Sequence, residues 1–418
     1  MQFYSLNQQS PKVSFKEAVI RGIAPDKGLY FPSSMSQLNK DVFKNIDQYS
    51  NQDIAFEMIR QFVGDDIPNA DLKEIIKDTL CFDFPLVEVE QDIFSLELFH
   101  GPTMAFKDVG GRFMARCLSY FNKKKTNEVT VLVATSGDTG GAVASGFLGV
   151  KGVNVVILYP SGKVSEVQEK QLTTLGQNIK ALEVDGTFDD CQAMVKKAFI
   201  DQDITEQIQL TSANSINVAR WLPQMFYFAF AYKQLKDRSK PLVFSTPSGN
   251  FGNICAGFMA QQLGLPVSHF IASTNANKVV PNFMESGHYE PLQSVATISN
   301  AMDVGDPSNF IRIREIFKDN FKQIQKNLSS YSFSDYQTRE AMKDVYATTK
   351  YVLDPHGAVG YLGLKQYLKE HHKSQGIFLE TAHPVKFLDI VEPVIKKTIP
   401  YPAQIKEIMD RKKEATCI

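Results

Sequence analysis

Two rhythms of apolar positions divide the chain. Near its start, Ser14 and Glu17 stand three residues apart ahead of "AVIRG", the spacing in which a serine and a glutamate cap each other's amides at a helix start. A short helix is expected there, ending at the Gly22 and Pro25 breaks. From about 36 to 80, apolar residues such as Ile54, Phe56, Met58, Ile59 and Phe62 recur at helical spacing and predict amphipathic helices. Past 128 the rhythm changes. "VTVLVAT" (129–135) is a short, nearly continuous apolar run rich in β-branched residues, as expected of a strand buried on both faces. A Gly-rich turn and a small-residue helix, "SGDTGGAVASGFLG", follow it, and then the apolar strand "VNVVILYP". The unit recurs as "PLVFSTP", "SGNFGN", "ICAGFMAQQLG" and "VSHFIAST". Strands alternating with helices predict parallel sheets flanked by helices. Ligands of such sheets gather at the carboxyl ends of the strands, where both Gly-rich turns lie.

The expected architecture is α/β, with two open, mostly parallel sheet domains and a small helical N-terminal region. The divisions expected are 1–90, 91–235 and 236–418, since 418 residues are too many for one domain of ordinary size. Forty-five basic residues against 46 acidic ones give no electrostatic reason to expect nucleic acid or a membrane surface as partner. The five cysteines, Cys81, Cys117, Cys191, Cys255 and Cys417, are scattered and form no C-x-x-C pair, so neither a metal site nor a disulfide framework is expected. The opening "MQFYSLNQQSPKV" has neither a hydrophobic signal core nor an arginine-rich pattern, and no apolar run would span a bilayer. A reduced cytoplasmic protein is the expectation.

Four places could carry chemistry. In "SGNFGN", Gly249 and Gly252 let the backbone approach a ligand, and exposed amides at a helix start favour a phosphate; a plain turn needing glycine would read the same. "ATSGDTGG" adds the hydroxyls of Ser136 and Thr139 and suits a small anion such as a carboxylate, or else a helix cap by Ser136 or Asp138. "IFLETAHPVKF" brings Thr381, His383 and Lys386 out at a strand end, with His383 read as structural. Lys107 follows the apolar step Met104, Ala105 and Phe106. Desolvated there, it would lose its proton readily and attack carbonyls; paired with Asp108, it would be an ordinary lysine. An activated lysine, a phosphate cradle and a carboxylate loop are together the parts a pyridoxal-phosphate enzyme needs.

"ELFHGPTMAFKDVGGRFMA", "ATSGDTGGAVA", "SANSINVARWLPQ", "TPSGNFGNICAGF", "SNAMDVGDPSNF" and "TAHPVKF", in this order, closely resemble the threonine synthase family, over nearly the whole chain. The resemblance implies the tryptophan-synthase-β-like fold and pyridoxal 5'-phosphate carried on Lys107 in Schiff-base linkage. It implies that Gly249, Asn250, Phe251, Gly252 and Asn253 hold the cofactor phosphate, that Asp138 lies with the cofactor and that Thr381 faces the pyridine nitrogen. Thr135, Ser136 and Thr139 would take the substrate. That substrate would be O-phospho-L-homoserine, converted with water to threonine and phosphate, Lys107 moving the protons; the state of assembly, monomer or homodimer, stays open. Val385 and Glu380 depart from the family's usual alanine and glycine. A phosphate dianion needs cations of its own, and Arg112, Lys163 and Arg220 are expected ahead of Lys386. The competing readings are a phospho-lyase on the same fold, which would release 2-oxobutyrate, ammonia and phosphate, and a non-catalytic binding protein.

Overall fold

A computed structural model describes residues 1–123 and 128–418. Its strands are β1 (Gln2–Ser5), β2 (Val13–Ser14), β3 (Tyr30–Pro32), β4 (Leu86–Glu90), β5 (Ile93–Glu97), β6 (Val129–Ala134), β7 (Val153–Pro160), β8 (Ile179–Val184), β9 (Gln209–Ser212), β10 (Leu242–Pro247), β11 (His269–Thr274), β12 (Leu328–Ser332), β13 (Gln375–Glu380) and β14 (Thr416–Cys417). They form three sheets. The largest has the order β12-β11-β10-β13-β5-β4, the second β14-β8-β7-β6-β9, and a small one β2-β1-β3. Every pairing in the second sheet is parallel, as are those of the large sheet apart from the β4–β5 hairpin at its edge.

The α/β class and the parallel sheets match the expectation from the apolar runs. Every residue of β10, β11 and β13 is buried, as strands covered by helices on both faces require. Ser14 caps the helix Phe15–Arg21 by accepting from the Glu17 amide, and Gly22 ends it. The five apolar residues picked out between 54 and 62 are all buried in the helix Asn51–Val63.

The sheets do not follow the linear divisions at 90/91 and 235/236. Strand β5, placed by sequence with the lysine segment, pairs in the large sheet with β13, and β14 returns from the far end of the chain to β8. The N-terminal region carries β1, β2 and β3 beside its helices. Antiparallel strands of two to four residues are too short for a period of two to show in the sequence.

The helix Lys107–Asn122 lies against the helix Asp138–Phe147, and glycines set how closely. A Cβ on Gly111 would stand 2.6 Å from the Ala142 carbonyl oxygen, and one on Gly146 2.9 Å from the Gly111 carbonyl carbon. The glycines after Lys107 therefore let its helix pack closely on the helix that follows β6 and on the backbone of Arg220.

Candidate active site

The apolar step before Lys107 is stitched to the turn after β13. The Phe106 amide donates to the Thr381 carbonyl at 2.8 Å, the His383 amide donates to the Met104 carbonyl at 3.0 Å, and Ala105 bridges Ala382. Met104 is buried with φ of +57°, a turn that a non-glycine residue adopts only where its surroundings hold it. Lys107 thus starts its helix directly beside Thr381. Asp108 takes no part as its partner. Its carboxylate accepts from the Thr103 hydroxyl at 2.5 Å and the Thr103 amide at 2.9 Å, which ties down the start of the same step.

Lys107 keeps some accessible surface, yet burial is the strongest influence on its ammonium and pushes it down to about 8. Asp138 opposes that shift, while Arg220 and Lys386 add to it. Asp138 sits between two lysines. Burial would raise it, but the charges of Lys386 and Lys107, with hydrogen bonds from Lys386 and Gln168, hold it well below the usual carboxylate range. Lys386 Nζ lies 2.6 Å from Asp138 Oδ1 and 3.0 Å from the Thr103 carbonyl oxygen; Gln168 Nε2 donates to the same Oδ1 at 2.9 Å. Burial brings Arg220 down to about 10, so it remains charged at neutral pH. Its Nε and Nη1 are buried and find no acceptor among the described residues. A buried charge with unused donors is costly unless an anion takes them.

In the loop after β6, the Thr135 hydroxyl oxygen accepts from the Gly137 amide at 2.9 Å and the Gly140 amide at 2.8 Å, so it shapes the turn. Ser136 and Thr139 lie half-buried at its rim. Gly137, with φ of +130°, stands at the cap of the next helix, so neither Ser136 nor Asp138 serves as that cap.

The loop after β10 has Phe251 at φ of +60°, its ring 5.6 Å from that of Phe310, and leads into the helix Gly252–Gln262. None of the amides of Gly249, Asn250, Phe251, Gly252 and Asn253 finds a backbone acceptor among the described residues. The side chain of Asn253 is spent on the Pro247 carbonyl at 2.9 Å, and Asn250 accepts from the amides of Asn309 and Ser308 at 3.1 and 3.3 Å. A Cβ on Gly249 would lie 2.8 Å from Met302 Cα and 2.9 Å from the Ala301 carbonyl oxygen; one on Gly252 would have more room, with Asn309 Nδ2 nearest at 3.3 Å.

Two of the cations expected on the substrate phosphate stand elsewhere. Arg112 donates to the Asp78 carbonyl at 2.8 Å and to Asp78 Oδ1 at 3.3 Å. Five positions beyond Lys107 on one helix, it leaves on a different face, towards the helix Asn69–Thr79. Lys163 is exposed in the turn after β7. Arg220 is brought in, and so is Lys386, although Asp138 and the Thr103 carbonyl already engage its ammonium. The sequence reading missed Gln168 and the Asp354–His356 pair described below. "LDPHG" did carry a signal for the latter, an aspartate before a proline at a helix start.

Three comparisons bear on this arrangement. The model of a pyridoxal-phosphate dependent enzyme family matches residues 75–379, that of the threonine synthase N terminus residues 2–80, and that of the threonine synthase C-terminal part residues 357–418. The threonine synthase of Escherichia coli is 43% identical over 98% of this chain and 95% of its own. That of Saccharomyces cerevisiae is 36% identical over 99% and 94%. The chain belongs to the threonine synthase family. The Escherichia coli threonine synthase crystal structure superposes with a TM-score of 0.94 at 41% identity, covering 100% of this chain and 96% of that one. The crystal structure of pyridoxal-phosphate-bound threonine synthase from Brucella melitensis gives 0.94 at 33%, with the same coverage.

As a member of the threonine synthase family, the chain uses pyridoxal 5'-phosphate, and its residues fit that group. Lys107 offers an amine whose proton is weakly held. The loop 249–253 offers five amides without a backbone acceptor among the described residues, at a helix start. Thr381 lies one hydrogen bond from the lysine step, at the carboxyl end of the strand between them.

Proposed function

We propose that the chain converts O-phospho-L-homoserine and water to L-threonine and inorganic phosphate, with Lys107 as the proton-transferring amine. The observation that carries this reading is a lysine with a lowered pKa, stitched beside Thr381 and facing Asp138 and a buried Arg220 whose Nε and Nη1 have no acceptor among the described residues. In this reading the amides of Gly249, Asn250, Phe251, Gly252 and Asn253 would hold the cofactor phosphate at the positive end of a helix, and Thr381 would offer the ring nitrogen a neutral hydroxyl. When bound, pyridoxal phosphate supplies an electron sink for the charge left on substrate carbon.

Lys107 takes the α-proton and then a β-proton, its neutral form being the base. Phosphate leaves the γ-carbon. Water adds its hydroxyl at the β-carbon, and protons are returned to the α- and γ-carbons and to the departing phosphate, which balances the overall replacement of phosphate by water. Arg220 holds the phosphate that departs, since its Nε and Nη1 are buried charged donors without an acceptor among the described residues. Ser136 and Thr139 receive the substrate carboxylate at the rim of the loop, with Thr135 fixing the loop's shape. Asp138, kept ionised by Lys386, balances the positive charge around the cofactor.

The test is incubation of the purified chain, loaded with pyridoxal phosphate, with O-phospho-L-homoserine. Threonine and phosphate in equal amounts are expected. Phosphate released with 2-oxobutyrate and ammonia, or no phosphate at all, would overturn the proposal.

A further inference from the structure

Asp354 and His356 make no hydrogen bond to Lys107 or to the loop 249–253 among the described residues, yet both are almost wholly buried, at 0% and 2% exposure. Asp354 caps the helix Pro355–Leu368, accepting from the amides of His356 and Gly357 with Oδ1. Its Oδ2 accepts from the Ala382 amide at 3.3 Å, the residue after Thr381. Its own amide donates to Glu380 Oε1 at 2.6 Å, the residue before Thr381. A cap needs one carboxylate oxygen, and here the second is spent on the turn that carries Thr381. His356 extends the reach in the other direction. Its Nδ1 is 2.8 Å from Asp354 Oδ1, and its Nε2 accepts from the Ala301 amide at 3.2 Å. The ring therefore donates at Nδ1 and accepts at Nε2. Ala301 lies in the short helical turn Asn300–Met302, against which Gly249 packs so closely that a Cβ would not fit.

We infer that Asp354 and His356 are positioning residues that fix the separation between the two ends of the cofactor site, Asp354 through Ala382 at the Thr381 end and His356 through Ala301 at the 249–253 end. Both arms end on backbone amides, so the contact sets main-chain position and leaves the side chains of the site free. Glu380 belongs to the same device. It reaches into the space that a Cβ on Gly357 would occupy, so a side chain at one of these positions requires its absence at the other. The inference rests on the reading that the cofactor phosphate lies at 249–253 and its ring nitrogen at Thr381.

The two nitrogens of His356 can be separated by substitution. His356→Asn keeps a donor near Nδ1 for Asp354 and lacks the distal acceptor. His356→Gln places an acceptor near Nε2 for the Ala301 amide. Pyridoxal-phosphate affinity is titrated on the cofactor-free chains, and the bound state is followed by 31P resonance and visible absorbance. His356→Asn is expected to weaken affinity about tenfold, or about 1.4 kcal/mol, and to move the 31P signal while absorbance stays. His356→Gln is expected to stay within about threefold of the parent (under 1 kcal/mol) with the parent 31P signal. Asp354→Asn is expected to change the absorbance, because the Ala382 amide loses its acceptor. Asn and Gln variants that behave alike, or that only melt lower with unchanged affinity and spectra, would overturn the inference. An Asp354→Asn chain with the parent absorbance would remove its Thr381 half. If His356→Asn does not fold, the Gln variant decides alone, and a larger loss or a moved signal sinks the idea. Gly249→Val separates the premises. Parent affinity in that variant would mean the phosphate is held elsewhere, while lost affinity there beside a parent-like His356→Asn would leave the phosphate site standing and remove only the positioning role.

Discussion

A lysine whose ammonium is disfavoured where it stands works against the stability of the cofactor-free chain. The folded value of about 8 lies below the ordinary 10.5. Below pH 8 the group is charged in both folded and unfolded chains, and the full burial penalty applies. Between 8 and 10.5 the folded chain gives up the proton first and the penalty fades, so stability from this residue rises with pH. Lys107→Met is therefore expected to raise the melting temperature of the cofactor-free chain at pH 7, with the gap closing as pH approaches 10.5; a gap independent of pH would mean that packing, not charge, sets it. The same substitution is expected to abolish covalent attachment of the cofactor, read by borohydride reduction and mass spectrometry, and to cut turnover by at least about a thousandfold, since base and anchor are lost together. Arg220→Met tests the other charge. It is expected to cost several kcal/mol of transition-state stabilisation towards O-phosphohomoserine and to leave cofactor attachment intact. Normal kinetics in that variant would place the substrate phosphate elsewhere.

At the scale of elements, the parallel strands and the loops at their carboxyl ends were legible because continuous apolar runs and glycine clusters have short-range causes. The helix start at Ser14 was equally local. What escaped the sequence was which side chain each loop would meet. Nothing in "DVGGR" says that Arg112 turns towards Asp78, because that depends on how the helix is rolled, and the roll is set by Gly111 against Ala142. Lys386, expected behind the other cations, is buried on Asp138 for a reason that is equally non-local, a contact between distant segments. The loop 249–253 offers a test at this scale. Gly252→Ala would bring a Cβ to 3.3 Å from Asn309 Nδ2, a tight contact that asks that side chain to give by a few tenths of an ångström, where the backbone atoms beside Gly249 would have to move further. A methyl at the helix start should nevertheless weaken pyridoxal-phosphate binding about tenfold or more if the phosphate lies there, costing about 1.4 kcal/mol. Parent affinity, measured by titration, would make this loop a turn and nothing more.

At the scale of the molecule, a charge pair at the site joins segments that follow strands of the two larger sheets: Asp138 follows β6 of one, and Lys386 follows β13 of the other. Lys386→Met leaves Asp138 buried with its main partner gone, which typically costs about 3–5 kcal/mol. Adding Asp138→Asn should recover much of that loss in a denaturant titration, because the uncompensated charge is removed; a double variant no more stable than the single would show the two sites to be independent. The order of the large sheet has a further consequence, for synthesis. Ile93 pairs with Gly376, and everything that builds the second sheet except β14 lies between them in the chain. While a ribosome is still making that intervening length, β5 has its hairpin partner β4 on one side and bare amides and carbonyls on the other. A strand edge left open for so much of translation is a template for pairing with another nascent chain. The yield of this protein at high expression should therefore depend on how quickly β13 arrives, and on what covers β5 until it does.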